Sequence, residues 1–125
     1  MEKEFIPYEQ ALALKELGFD EPCFKKYIAG CLWSSPTTPE IYKNIHPNSS
    51  DCLAPLYQQA FRWFREKYGL EGVTQRAEYF MWYKWIIHQY TENVKKYVAD
   101  WFEYKTYEEA ELECLNKLIE IVKNK

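Results

Sequence analysis

The chain has 125 residues, 28% of them charged and 47% hydrophobic, with a formal net charge of −3. That length suits one domain with a core of its own, and the balance of apolar and charged residues excludes a disordered chain. An acidic total argues against a dedicated duplex-DNA binder, whose affinity comes from neutralised phosphates, and no apolar run is long enough to span a bilayer.

The first predicted element is a helix over about 7–17. Pro7 suits a helix start, "YEQALALKEL" follows, and Gly18 is a natural stop. Residues 19–54 are rich in Pro, Ser, Thr and Asn and read as a long loop, with Tyr27 to Ser34 as a candidate strand. A second helix is predicted over about 55–68, again between a proline (Pro55) and a glycine (Gly69). A third runs over about 106–123, where Thr106 and Glu109 form a capping box.

Each helix opens on the same pattern. Tyr8, Tyr57 and Tyr107, spaced 49 and then 50 residues apart, are each followed three residues later by Ala11, Ala60 or Ala110. Tyr and Ala then share one helix face, where the small residue admits a close neighbour and the ring covers the edge of the joint. The connecting segments share no such likeness, so the pattern reads as a recurring packing device rather than a solenoid.

Residues 79–104 admit two readings. "YFMWYKWIIHQYT" and "VKKYVADWFEY" are dense in aromatic and β-branched residues around a polar "TEN", which favours a β-hairpin. Tyr79, Trp82, Tyr83, Ile86 and Tyr90 also keep helical spacing. The hairpin is the preferred reading. The expected fold is thus α+β: three helices with a hairpin, extended to a three-stranded antiparallel sheet if 27–34 supplies a strand.

The chemistry-bearing residues are few. Four cysteines (Cys23, Cys31, Cys52, Cys114) and two histidines (His46, His88) lack the spacing of a zinc site, so no metal or cofactor is expected. The acidic start, Met1 to Glu4, does not read as a leader, and reduced thiols suit the cytosol. Neither a nucleophile elbow nor a phosphate loop nor a metalloprotease motif is present, so no enzyme is expected and no catalytic residue is named. Glu111 falls on the apolar face of the third helix, where a carboxylate snorkels, pairs internally or anchors a partner's cation.

The aromatic share, 18% with eleven Tyr and five Trp, exceeds what a core this small absorbs. Such rings suit half-buried contact surfaces. Trp63 turns away from the buried face of the second helix and either covers a second core layer or stands as an exposed anchor. With Arg62, Arg65 and Lys67, and with Trp82, Lys84, Trp85, Lys95 and Lys96 from the hairpin, it defines the expected partner-binding surface. Lys25 and Lys26 could extend it. Rings among cations also suit single-stranded RNA or nucleotides, which is the alternative reading.

Three stretches, "EFIPYEQALALKELGFDEPC", "APLYQQAFRWFREKYGL" and "KTYEEAELECLNKLIEIVK", together resemble a group of small proteins encoded in phages and prophages of Bacteroidetes. The resemblance covers about half the chain and omits the 24–53 loop. It implies strands before the last motif and assigns no catalytic or ligand residue. It further implies work in the cytoplasm of a bacterial host, by direct binding to a host protein. An inhibitor of a defence system, such as an anti-CRISPR protein engaging an effector nuclease with its guide RNA, is the sharpest expectation.

Overall fold

The computed structural model describes residues 4–34, 41–43, 50–76, 82–90 and 95–124, without the side chains of 90 and 95–103. His46, the start of the predicted hairpin at Tyr79 and its "TEN" turn lie outside the described residues. The chain forms two compact units, Met1–Tyr57 and Gln58–Lys125. The fold class is α+β, as the sequence predicts, and the described residues form three helices and two three-stranded antiparallel sheets.

In the first unit, α1 spans Tyr8–Glu16. Pro7 is its N-cap, just ahead of the first turn. The end is a Schellman turn: Gly18 at φ 97° lets its N–H reach the Lys15 carbonyl while the Phe19 N–H reaches that of Leu14. Leu14 and Phe19 are both buried, as the motif's apolar contact requires.

The predicted 27–34 strand is instead two strands, β1 (Lys25–Ile28) and β2 (Cys31–Trp33). Between them Ala29 and Gly30 both hold positive φ, 51° and 79°, the signature of a two-residue hairpin turn that matches strand twist. The Asp51 carboxylate accepts from the Ala29 N–H at 3.1 Å and steadies that turn. A further strand, β3 (Cys52–Ala54), pairs along the other side of β1, so the sheet order is β2-β1-β3. The supposed loop therefore carries a whole sheet.

Around that sheet the long connection is tied by specific bonds. The Tyr27 hydroxyl donates to the Ile6 carbonyl at 2.7 Å in a buried setting, and the Ile6 N–H donates to Pro55 at 3.0 Å. Lys15 and Tyr8 reach the carbonyls of Asp51 and Ser50. Cys23 and Tyr42 exchange two backbone bonds of 2.8 Å.

In the second unit, α2 (Tyr57–Tyr68, its first residue still in the first unit) stops at Gly69, whose φ is 68°. The chain passes directly into β4 (Leu70–Arg76), which the sequence did not suggest. β5 (Tyr83–Tyr90) and β6 (Lys95–Tyr104) form the predicted hairpin, and the sheet order is β4-β5-β6. So the third strand of this sheet is 70–76, not 27–34. A register shift between Tyr83 and Trp85 marks an irregularity near the end of the β5–β6 pair.

α3 (Tyr107–Lys123) opens at Thr106, whose hydroxyl accepts from the Glu109 N–H at 3.2 Å, as the capping box predicts. α3 packs on β4 and β5. Gly72 permits the approach, since a Cβ there would lie 3.0 Å from Cys114 Sγ, 3.1 Å from Leu118 and 3.2 Å from Phe61. The repeated motif holds in its small residue: Ala11, Ala60 and Ala110 are all buried. Its tyrosines diverge, Tyr57 being buried, Tyr8 half-buried and Tyr107 exposed.

Candidate functional site

Two of the rings expected on the surface of α2 and the hairpin are buried. Trp63 is only 5% exposed, packed edge-on to Phe64 (5.1 Å) and Tyr68 (5.5 Å), with Lys67 Nζ 4.9 Å from its ring. It belongs to the core, and the lysine one turn on covers its rim. Trp85 is equally buried. The period-two alternation of β5 accounts for it, since Trp85 and Ile87 share the inward face while Lys84, Ile86 and His88 take the other.

Of the remaining predicted contacts, Arg62, Arg65 and Lys67 are exposed on α2, and Trp82 and Lys84 are half-exposed. Lys95 and Lys96 stand opposite Tyr90 and Gln89 in the β5–β6 register; their side chains lie outside the described residues. Lys25 and Lys26 belong to the first unit, on β1.

Exposed apolar side chains concentrate elsewhere. Phe24 (60%), Ile41 (59%), Trp33 (40%) and Ile28 all lie in the first unit. Lys26 and Ile28 share a face of β1, and the register sets Trp33 and Cys31 opposite them. Phe24 and Ile41 adjoin the Cys23–Tyr42 bridge. Lys26 Nζ lies 5.2 Å from the Trp33 ring and 4.7 Å from that of Tyr42, and the two rings are 5.8 Å apart. Lys25 sits 5.1 Å over Phe5. This is a ring-and-cation face on a short hairpin.

Sequence reasoning missed that face because the Pro- and Ser-rich flanks hid the hairpin. The signal that could have found it is the Ala29-Gly30 pair between "FKKYI" and "CLW", an apolar-flanked two-residue turn.

Burial shapes the other chemistry. Desolvation pushes the Cys52 thiol up to about 11 and the Cys114 thiol up to about 12, so both are protonated and unreactive near neutrality. Cys31 is exposed. Glu111 is half-buried, and desolvation, with Glu108 adding its charge, raises its carboxyl from 4.5 to about 7. Among the described residues no three His, Cys, Asp or Glu side chains are grouped to hold a metal ion. No described helix is long and apolar enough to cross a membrane.

Comparison with protein-family models, with curated proteins and with solved structures finds no match to this chain.

Proposed function

We propose that the protein is a non-catalytic binder that acts by occluding a partner protein, and that the partner is a nuclease of a bacterial defence system. The observation that carries the first part is the cluster of Phe24, Ile28, Trp33 and Ile41 on one short hairpin and its neighbouring bridge. Exposed apolar side chains of this size gathered in one short stretch of fold mark interaction surfaces. A central Trp flanked by apolar neighbours and a polar rim is the composition of an interface hot spot. The resemblance to phage-encoded proteins supplies the second part, with a CRISPR effector and its guide RNA as the sharpest version.

A second reading rests on Lys26 between Trp33 and Tyr42. A lysine beside an exposed ring offers both the stacking platform and the charge that single-stranded RNA uses.

The test is affinity capture from a Bacteroidetes lysate with wild-type protein and with a Phe24→Ser/Trp33→Ala variant, each with and without RNase. The proposal expects one dominant protein, retained by wild type and lost with the variant. Retention of the same protein by both would sink the surface assignment. Diverse RNA with no protein partner would favour the second reading.

A further inference from the structure

On α3, Tyr107, Glu111, Cys114 and Leu118 follow the i, i+4, i+7, i+11 spacing and form one stripe. Its two ends are placed by contacts. Tyr107 meets Tyr83 edge-on at 5.8 Å and 86°, while Cys114 and Leu118 close on Gly72. In the sheet beneath, the register reads Gly72↔Ile87, Thr74↔Trp85, Arg76↔Tyr83. The stripe therefore crosses from the first pair to the third, and Glu111 comes level with Thr74 and Trp85.

At that level polar groups accumulate without partners. Among the described residues, the buried atoms Thr74 Oγ1 and Trp85 Nε1 have no hydrogen-bond partner. Nor does any described cation pair with the Glu111 carboxyl, including Arg76, which is exposed. A half-buried carboxylate usually pairs, because its lost hydration must be replaced. Its electrostatic neighbour one turn back is Tyr107, which is 42% exposed and meets the Tyr83 ring. A carboxylate on the same stripe as a pair of tyrosine rings is the recognition chemistry of an organic cation.

We propose that Tyr83, Tyr107 and Glu111 form a receptor for one basic side chain, lysine or arginine, presented by a partner protein. The cation enters at the exposed edge of Tyr107, pairs with the Glu111 carboxylate and lies against the two rings. Thr74 Oγ1 is a further acceptor for its N–H groups. Trp85 Nε1 is a donor left over at the same level. The receptor lies wholly in the second unit and does not depend on the Trp33 surface of the first.

The experiment is an NMR titration of the whole protein with the blocked tripeptides acetyl-Gly-Lys-Gly-amide and acetyl-Gly-Arg-Gly-amide, with the norleucine analogue as the uncharged control. The expected result is saturable shifts confined to the Tyr83 and Tyr107 rings and the Glu111 carboxyl, absent with norleucine. Glu111→Gln should weaken binding by about tenfold or more, while Glu113→Gln on the exposed side of the same helix should change it less than about twofold. Tyr107→Leu, at an exposed position, should also weaken it if Glu111→Gln cannot be prepared folded. Shifts that never saturate, or equal losses in Glu111→Gln and Glu113→Gln, would overturn the receptor and leave the Trp33 surface untouched.

Discussion

The Cα of Gly72 faces Cys114 so closely that any side chain at 72 would bring a Cβ to 3.0 Å from the Cys114 sulfur. Leu118 and Phe61 close the same space at 3.1 and 3.2 Å. Gly72→Ala should therefore overpack the α3–sheet joint and cost about 1–3 kcal/mol in urea unfolding. Adding Cys114→Ala should recover part of that loss, because it removes the nearest obstructing atom. Strict additivity in the double-mutant cycle would contradict the steric account.

The hairpin turn of the first unit carries the opposite kind of lesion. Ala29 holds φ 51°, a left-handed conformation that L-residues other than Asn and Asp avoid. Ala29→Asn should raise stability by roughly 0.5–1 kcal/mol, since Asn-Gly is the preferred pair for such a turn. Gly30→Ala should lose about 1 kcal/mol although nothing lies within 4 Å of a new Cβ there, because the cost is in the backbone at φ 79°. Thermal melts of the two variants should move in opposite directions.

Glu111 makes stability depend on pH in an unusual direction for an acid. Its folded pKa of about 7 exceeds the ordinary 4.5, so between those values the folded state holds more protons than the unfolded one. Stability must then fall as pH rises through that window and level off above it. Glu111→Gln should flatten this component and make the protein more stable at pH 8, by about 1 kcal/mol once solvent screening of a half-exposed group is allowed for. Denaturant midpoints of both proteins at pH 5 and pH 8 give the comparison. A variant less stable than wild type at pH 8 would contradict the desolvated, unpaired state of this carboxyl.

Two tryptophans should separate stability from binding. Trp63→Ala removes a buried ring that packs on Phe64 and Tyr68, and should cost about 3–5 kcal/mol. Trp33→Ala, at a 40% exposed position on an edge strand, should cost less than about 1 kcal/mol while weakening capture of the partner. A Trp33 variant as unstable as the Trp63 variant would make Trp33 a core residue and remove the basis for a surface there.

What was legible in the sequence was local. The Thr106 cap and the Gly18 and Gly69 stops follow from interactions within a few residues, and all are present. The hairpin of 83–104 was legible because β-branched and aromatic side chains concentrate there. β4 was not, because "LEGVTQR" lacks a ring, carries two charged residues and has Gly72 at the point where a strand pattern needs an apolar side chain. Its glycine is explained by Cys114 and Leu118, 42 and 46 positions away in sequence, and by Phe61.

The candidate site followed the same division. Composition alone predicts more rings than the core would absorb, and the helix spacing alone puts Glu111 among apolar neighbours. Which rings stay exposed was decided by the tertiary structure, which buried Trp63 and Trp85 and left Trp33 and Phe24 outside. Burial is a property of what packs against a side chain, and those neighbours come from distant segments. Helix starts, turns and caps depend on the residues beside them, so the sequence by itself determines them.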